Sequence, residues 1–212
     1  MRSTAFILLL ILYAGCTADS APSQSGENVP EDPFEVTPLL VGSSVPDVMV
    51  RNMDDRERSL VDLVSQQPTL IIFYRGGWCP YCNTHLAELS AIEDDIYDLG
   101  YQILAISPDQ PGFLSESMEE QDLEYTLLSD SPMEVARAFG VAYREDDETV
   151  AQLKSSGMDV VERSGHEHQQ LPVPAVFIAD TSGNIQFQYA NPDYQERING
   201  EILMTALREL RE

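Results

Sequence analysis

The sequence predicts an α/β domain built on a central mixed β-sheet with helices on both faces. Apolar runs of strand length alternate with helical patterns along most of the chain, which is typical of a sheet covered on both sides. Near the carboxyl end, two apolar runs flank the turn Ser182-Gly183-Asn184. This second observation predicts a hairpin that adds antiparallel strands to an otherwise mostly parallel sheet.

The predicted elements begin with a short hairpin and end with a closing helix. Strands are expected at residues 48–51, 56–60, 69–74, 102–106, 126–128, 173–179 and 185–189. Helices are expected at residues 60–65, 80–99, 111–121, 132–139 and 194–211. The run at 69–74 is apolar throughout, as in a strand buried on both faces. Residues 141–170 are polar and charged and are expected to form an insertion or lid.

The amino-terminal part of the chain has the features of an export signal. Arg2 precedes an uncharged apolar run at 5–13, and the small residues Ala14-Gly15 lead directly to Cys16. This pattern resembles the lipobox of bacterial lipoproteins, so residues 1–16 are expected to be a signal peptide and Cys16 the lipidated residue. A cleaved secretory signal with an incidental cysteine is the alternative. The lipid would place the protein in the cell envelope, anchored to the membrane.

Composition divides the rest of the chain and excludes one class of partner. Residues 17–37 are rich in Ser, Pro and Glu and are expected to be a flexible tether, with the folded domain at 38–212. The net charge is −24, from 36 acidic and 12 basic side chains. Such a surface repels phosphate backbones and argues against nucleic-acid binding. Solubility explains the acidity, and a cationic partner is the alternative.

The three cysteines form a lone residue and a pair spaced C-x-x-C. If Cys16 carries lipid, only Cys79 and Cys82 remain. A disulfide between residues three apart constrains the unfolded chain little, so the pair makes a poor structural staple. It makes a good redox couple, and the sequence therefore predicts a thiol–disulfide enzyme.

The residues around the pair predict which sulfur is activated. Pro80 is suited to the first position of a helix, which makes Cys79 the N-cap residue and Cys82 the third residue. An N-cap thiolate accepts a hydrogen bond from a free helix amide and lies at the positive end of the helix dipole. The pKa of Cys79 should therefore fall below the free value of ~8.5. Trp78 and Tyr81 would flank and shield the sulfur.

A zinc half-site and an accidental spacing are the alternatives to a redox pair. A zinc half-site would need further ligands, for which His85, His166 and His168 are the candidates. The proline between the cysteines and the strand directly before them favour redox chemistry, so no metal is expected and His85 is expected to be exposed on its helix. Gly76-Gly77 lacks the spacing of a phosphate-binding loop, and no cofactor is expected.

Three stretches of the chain together resemble a known superfamily. They are Val41-Gly42 with Val45-Pro46, residues 73–82, and residues 171–178. Residues 39–211 resemble the thioredoxin fold in its peroxiredoxin form (alkyl hydroperoxide reductase and thiol-specific antioxidant type), and are most similar to the branch with a Trp-Cys-Pro-x-Cys motif. The resemblance implies that Pro174 follows a cis peptide bond and lies against the cysteines.

The peroxide pocket of the superfamily is altered in this chain. Alignment on Phe73-Tyr74 places the peroxide-reactive cysteine of the superfamily at Cys82, its Thr or Ser at Cys79, and its motif proline at Arg75. The superfamily arginine falls at Pro174. A cation is needed because negative charge develops on oxygen as the O–O bond breaks. The candidates are Arg75, Arg137 and Arg144. A solvated loop position is expected for Arg75, and its closeness to Cys79 keeps it a candidate for support of the active site.

The predicted function is an exported, thiol-dependent antioxidant oxidoreductase that reduces hydroperoxides through a Cys79/Cys82 dithiol–disulfide cycle. Its partners would be a hydroperoxide or disulfide substrate and a thiol reductant such as a thioredoxin-type donor. Cys79 attacks in a thioredoxin-type mechanism, whereas Cys82 is oxidised first in the alternative peroxide mechanism. A protein-disulfide reductase of the cell envelope is the second hypothesis, and a redox-inert scaffold is the third.

Overall fold

A computed structural model of the chain describes residues 29–121 and 123–211, which form an α/β domain around a seven-stranded mixed sheet. The strands are β1 Met49–Arg51, β2 Glu57–Ser59, β3 Thr69–Phe73, β4 Gln102–Ser107, β5 Thr126–Ser129, β6 Ala142–Arg144, β7 Gln170–Pro172, β8 Ala175–Ala179 and β9 Ile185–Ala190. The helices are α1 Leu60–Val64, α2 Pro80–Ser90, α3 Glu93–Asp98, α4 Pro111–Gln121, α5 Glu134–Ala138, α6 Asp147–Ser155, α7 Val160–Ser164 and α8 Gly200–Glu209. The predicted fold class is confirmed.

The sheet is less parallel than its predicted element order suggests. Its strand order is β2-β1-β5-β4-β3-β8-β9, and β6 pairs with β7 in a separate two-stranded sheet. Only β3 with β4 and β4 with β5 run parallel, while the remaining pairs are antiparallel. The prediction of a mostly parallel sheet is wrong because a hairpin closes each end of the sheet, and each hairpin joins its central neighbour antiparallel.

Two predicted helices are shorter in the structure. The helix expected at 80–99 is divided into α2 and α3 at Ile92, whose φ of −123° and ψ of 7° leave the helical region. The closing helix begins at Gly200 rather than Tyr194, because the side chain of Asn199 caps it by accepting the amide of Glu201. Residues 191–199 are therefore a loop, and this difference matters for the site.

The core has two layers, one on each face of the sheet. Along β3, Leu70 and Ile72 face one layer while Ile71 and Phe73 face the other, so alternate residues of a fully buried strand serve different layers. Helices α2, α3, α4 and α8 cover the first layer, and α1, α5, α6 and α7 cover the second. The insertion at 141–170 is thus a structured part of the domain. Within the described residues, no helix has both the length and the hydropathy of a membrane span.

The described end of the predicted tether lies against the domain. The carbonyl of Pro30 accepts the amide of Arg144, and Val36 packs against the core. The carbonyl of Thr37 comes so close to Gly140 that a Cβ there would lie 2.0 Å from it. The predicted signal peptide, Cys16 and residues 17–28 of the tether lie outside the described residues.

The strand register brings five loops to one edge of the sheet. Phe73 at the end of β3 is level with Ile106 near the end of β4 and with Ala175 at the start of β8. Ala175 is level in turn with Ala190 at the end of β9. The loops after β3, β4, β5 and β9, and the one before β8, therefore meet at this edge, as expected for a site at the carboxyl ends of parallel strands.

Candidate active site

Cys79 lies at the mouth of α2, at this edge of the sheet. Its φ of −88° and ψ of 114° are those of an N-cap residue, and Pro80 follows it at the first helical position. The Cys79 sulfur accepts the backbone N–H of Cys82 at 3.4 Å. A thiol that takes the place of the usual Ser or Asp cap gains the same donors that those side chains use. The sulfur is nevertheless buried, with the residue only 1% exposed.

Cys82 lies one turn inside α2, within the apolar layer that also holds Leu86 and Leu89. Its residue exposure is 0%, and both cysteines are free thiols. Its sulfur contacts the guanidinium of Arg197, whose Nη2 donates to it at 3.3 Å. Arg197 is held in turn by the carbonyls of Tyr194 and Glu196, which accept from its Nη1 at 2.6 and 2.8 Å.

Arg197 is a site residue that the sequence reasoning missed, because it was assigned to the closing helix. A signal for the loop was present in the side chains of Asn191, Asp193 and Asn199. Each accepts the backbone amide two residues ahead of it, a local bond that competes with helix formation. These residues after a predicted hairpin indicate a loop at the edge of the sheet.

The two sulfurs have opposite electrostatic environments. A hydrogen bond from the Cys82 side chain lowers the pKa of Cys79 to about 6, assisted by the Cys82 amide and by the charges of Arg75 and Arg197 against the effect of burial. Burial raises the pKa of Cys82 well above its usual value, and its hydrogen bond to Cys79 acts in the same direction. The arrangement therefore favours a thiolate at Cys79 and a thiol at Cys82.

Arg75 is buried rather than solvated, contrary to expectation. Its residue is 4% exposed, and its Nη2 forms an ion pair of 2.7 Å with Glu145, at the start of the insertion. Its guanidinium lies 5.3 Å from the ring centroid of Trp78 and 4.5 Å from that of Tyr194. Aromatic faces stabilise a cation at such distances. Arg75 thus fixes a positive charge beside the dithiol while its own charge is balanced.

The other two arginines considered from the sequence bind elsewhere. Nη1 of Arg137 donates to Gln170 at 2.9 Å. Nη2 of Arg144 donates to Gln169 at 2.7 Å and lies 3.7 Å from Asp147. Among the described residues, Arg75 and Arg197 are the arginines whose charges lower the pKa of Cys79.

Residues 191–199, the covering loop, lie over the dithiol. Tyr194 of this loop meets Tyr81 of α2 edge-on, with ring centroids 5.8 Å apart. Both tyrosines are partly exposed, at 39% and 44%, so they form the outer surface of the cover. Trp78 is half-buried and packs against both core layers. Trp78 thus packs against the layer that holds both cysteines, and Tyr81 contacts the covering loop, most of which was predicted as part of the closing helix.

Pro174 lies at the same edge, but its geometry differs from that implied by the resemblance. The described peptide bonds are all trans, including the one before Pro174, so the expected cis bond is absent. Pro174 is buried, and its carbonyl accepts the amide of Asn191 at 3.0 Å. This residue therefore supports the first position of the covering loop.

The histidines do not gather around the cysteines. His85 is buried with 5% exposure, and the expectation of an exposed helix residue is wrong because α2 turns it into the apolar layer. Burial lowers the pKa of His85 to about 4. His166 stacks on His168, whose Nε2 binds the carbonyl of Ser131 at 2.8 Å. Within residues 29–121 and 123–211, no group of three or more His, Cys, Asp or Glu side chains is arranged to hold a metal ion.

A comparison with protein families assigns the domain. Residues 41–188, well over half of the chain, match the AhpC/TSA family. The chain belongs to the AhpC/TSA family. It is a peroxiredoxin-like thiol oxidoreductase with a thiol-dependent antioxidant role.

Curated relatives support this assignment within the AhpC/TSA family. The putative peroxiredoxin bcp of Haemophilus influenzae is 36% identical over 106 residues, which cover 50% of this chain and 68% of that protein. Peroxiredoxin Bcp of Escherichia coli is 32% identical over 106 residues, or 50% of this chain and 67% of that protein. Thiol-disulfide oxidoreductase ResA of Geobacillus thermodenitrificans is 26% identical over 108 residues, or 50% of this chain and 61% of its own.

Solved structures agree on the fold. Peroxidoxin BcpB from Mycobacterium tuberculosis superposes with a TM-score of 0.61 at 20% identity, covering 81% of this chain and 98% of that one. Reduced Prx3 from Vibrio vulnificus in complex with H2O2 gives a TM-score of 0.65 at 16% identity, covering 80% and 99% of the two chains. These likenesses confirm the predicted thioredoxin fold of the peroxiredoxin type.

Proposed function

We propose that the protein reduces hydroperoxides with Cys79 as the nucleophile and Cys82 as the resolving thiol. One observation carries this proposal: the Cys79 sulfur caps α2 and accepts the Cys82 amide, next to two arginines that favour its thiolate. At pH 7 a thiol with a pKa near 6 is about 90% ionised, whereas one near 8.5 is only about 3% ionised. The site thus supplies about 30 times more nucleophile than an ordinary cysteine.

The proposed cycle balances without a metal or organic cofactor. The Cys79 thiolate attacks the peroxide, an S–O bond forms, the O–O bond breaks, and the leaving oxygen takes a proton to become water or an alcohol. The Cys82 sulfur then attacks the sulfenic acid of Cys79, so that a disulfide forms and water leaves. A thioredoxin-type dithiol donor returns the pair to the reduced state. Arg197, whose Nη2 lies 3.3 Å from the Cys82 sulfur and whose charge lowers the pKa of Cys79, is the cation that we expect to stabilise the charge on the leaving oxygen.

Five further residues support this chemistry in different ways: Trp78, Pro80, Tyr81, Arg75 and Pro174. Pro80 starts α2 directly after the N-cap, which sets the register of both sulfurs. Trp78 packs against the apolar layer that holds both cysteines, and Tyr81 contacts Tyr194 of the covering loop. Arg75 adds charge beside Cys79, and Pro174 holds the covering loop through Asn191.

The burial of both sulfurs favours a small oxidant. Cys79 is 1% and Cys82 is 0% exposed, and Tyr81, which lies between them in the sequence, contacts Tyr194 of the covering loop. A hydroperoxide is small enough for so narrow an approach. A disulfide on a folded partner would have to displace the covering loop before its sulfur reached Cys79.

A protein-disulfide reductase is the second candidate function. It is favoured by the C-x-x-C pair at the mouth of α2 and by the similarity to ResA, whose name describes a thiol-disulfide oxidoreductase. In this alternative Cys79 attacks a partner's disulfide, and Cys82 releases the mixed disulfide.

Parallel assays on the full chain separate the two functions. Hydrogen peroxide consumption and insulin-disulfide reduction would be measured with the same dithiol donor. We expect peroxide consumption that requires both cysteines, with insulin reduced more slowly by at least tenfold. Insulin reduction without peroxide consumption would reverse the assignment.

We also propose that the protein is exported and anchored in the cell envelope by a lipid on Cys16. The apolar run at 5–13 followed by Ala14-Gly15-Cys16 supports this proposal. Cys16→Ala should move the protein from the membrane fraction to the soluble fraction of expressing bacteria, with Cys79→Ala as the matched control. Unchanged fractionation of Cys16→Ala would contradict the anchor.

A further inference from the structure

The loop that carries Cys79 is tied to the next strand's loop by a buried carboxylate. Asp109, two residues after β4, is 0% exposed, and its Oδ2 accepts the backbone N–H of Gly77 at 2.8 Å. The carbonyl of Gly77 is held by α2, because Asn83 Nδ2 donates to it at 2.8 Å. The amide of Cys79 donates to the Gly76 carbonyl at 3.2 Å. The path from Asp109 to Cys79 is therefore a short series of hydrogen bonds.

Arg163 balances the charge of Asp109. Its Nε donates to Oδ1 at 3.1 Å and its Nη2 donates to Oδ2 at 3.2 Å, so the carboxylate is held by a two-point fork. Arg163 belongs to α7 of the insertion, and its backbone carbonyl accepts the amide of Gln110 at 2.8 Å. Its guanidinium also lies 4.1 Å from the ring centroid of Phe113 and 3.8 Å from Glu116. The insertion is thereby locked to the loop after β4.

The close fit of the same groups accounts for the two glycines before Trp78. A Cβ on Gly77 would lie 1.9 Å from the Ser117 hydroxyl oxygen and 3.4 Å from Arg163 Nη2. Gly76 has a φ of +141°, and a Cβ there would lie 2.4 Å from Trp78 Nε1 and 3.0 Å from Asp109 Oδ1. The two glycines thus let the backbone approach the Asp109–Arg163 pair closely. This close approach, rather than the binding of a phosphate, accounts for Gly76 and Gly77.

We propose that Asp109 and Arg163 are positioning residues that hold the Gly76-Gly77 loop so that the Cys79 sulfur keeps its hydrogen bond from the Cys82 amide. This inference rests on the proposed function, in which Cys79 is the reacting thiolate, and it gives the insertion a role in the chemistry. Loss of Arg163 leaves a buried carboxylate without its counter-ion, which favours protonation of Asp109, weakens its hydrogen bond to the Gly77 amide and lets the N-cap move. The charged and titratable groups that act on Cys79 are Arg75, Arg197 and Cys82. Those that act on Asp109 are Tyr74, Glu116 and Arg163.

The test measures the pH dependence of iodoacetamide alkylation at Cys79, read by peptide mass, in the full chain carrying Cys16→Ala. Arg163→Gln should raise the midpoint by about one pH unit, which lowers the alkylation rate at pH 6 about fivefold. Arg163→Lys keeps the charge without the fork and should restore part of the shift. Lys154→Gln is the matched control, because it removes one positive charge from the same insertion where Lys154 pairs with Asp159. We expect it to keep the midpoint of the unmodified chain.

Hydrogen exchange at the Gly77 amide provides a second readout, which Arg163→Gln should accelerate and Lys154→Gln should not. If Arg163→Gln fails to fold by circular dichroism, the smaller shift in Arg163→Lys carries the test. A folded Arg163→Gln protein with the unmodified midpoint would overturn the inference even if its melting temperature fell. A midpoint near 8.5 in the unmodified chain would instead contradict the proposed function, so the two failures are distinguishable.

Discussion

Cys79 and Cys82 lie one helical turn apart, yet their surroundings differ in almost every respect. Cys79 is outside the first turn of α2, where a backbone amide points at its sulfur. Cys82 is inside that turn, between apolar side chains and the guanidinium of Arg197. The pKa of the first thiol is lowered to about 6 by its hydrogen bonds and the two arginines, and that of the second is raised by burial.

The comparison shows how a single helix start assigns two roles to identical side chains. Amide donors and the helix dipole act on the N-cap position but fade within the first turn. Burial keeps Cys82 protonated, and its S–H donates a hydrogen bond to the Cys79 sulfur, which widens the difference between the two pKa values. Cys82 thus stays a thiol while Cys79 attacks the peroxide, and it must lose its proton before its sulfur attacks the sulfenic acid.

Replacing either cysteine should produce the largest effect and separate the two roles. Cys79→Ser should lower peroxide turnover about 1,000-fold or more, because a hydroxyl is not ionised at neutral pH. Cys82→Ser should also stop turnover with a dithiol donor, but one equivalent of peroxide should still oxidise Cys79. A dimedone adduct on Cys79 in the Cys82→Ser protein would be detected by mass spectrometry.

The same pair of variants tests the reversed order. If Cys82 is the first sulfur oxidised, the adduct would form on Cys82 in the Cys79→Ser protein, and Cys82→Ser would yield none. Single-cysteine chains that also carry Cys16→Ala make the assignment unambiguous. That outcome would show that the contact of Cys82 with Arg197 matters more to peroxide attack than the position of Cys79 at the N-terminus of α2.

Substitution of Arg197 tests whether a positive charge next to Cys82 is needed for peroxide reduction. Arg197→Gln should lower the rate of peroxide reduction about 10- to 100-fold, because the site loses a donor where negative charge develops on oxygen. Arg197→Lys should recover part of that rate, since an ammonium keeps the charge without the planar fork. Stopped-flow peroxide kinetics would measure both, with the exposed Arg208→Gln as a charge-matched control on α8. Equal rates for the Gln variants at 197 and 208 would remove Arg197 from the mechanism.

The pH dependence of peroxide attack follows from the lowered pKa of Cys79. Because the folded pKa of about 6 lies below the ordinary value, the thiolate is present above pH 6 and is lost as the pH falls through 6. The rate should be nearly level from pH 7 to 8 and about tenfold lower at pH 5. A rate that keeps rising tenfold per unit up to pH 8 would indicate an ordinary thiol.

The sequence contains the local part of this site but not its long-range part. The N-cap geometry of Cys79 follows from neighbours within three residues, since Pro80 alone sets the register of α2. Arg197 reaches Cys82 across 115 positions, and Arg75 meets Glu145 across 70. Such contacts depend on which loops the sheet brings to one edge, and the predicted elements placed most of residues 191–199 in the closing helix.

Tyr81 offers the smallest and most selective test, because it acts on access rather than on either sulfur. Its edge-on contact with Tyr194 is worth about 1 kcal/mol, and Tyr81→Ala should loosen the covering loop without removing a charge. Hydrogen peroxide already reaches the pair, so its rate should change less than about twofold. A bulky aryl hydroperoxide should react about three- to fivefold faster, in line with that energy.

Tyr97→Ala, which alters a similarly exposed tyrosine on α3, should leave both rates unchanged. If the two hydroperoxides respond equally to Tyr81→Ala, the cover does not select by size, and the burial of the sulfurs ceases to favour a small oxidant over a protein disulfide.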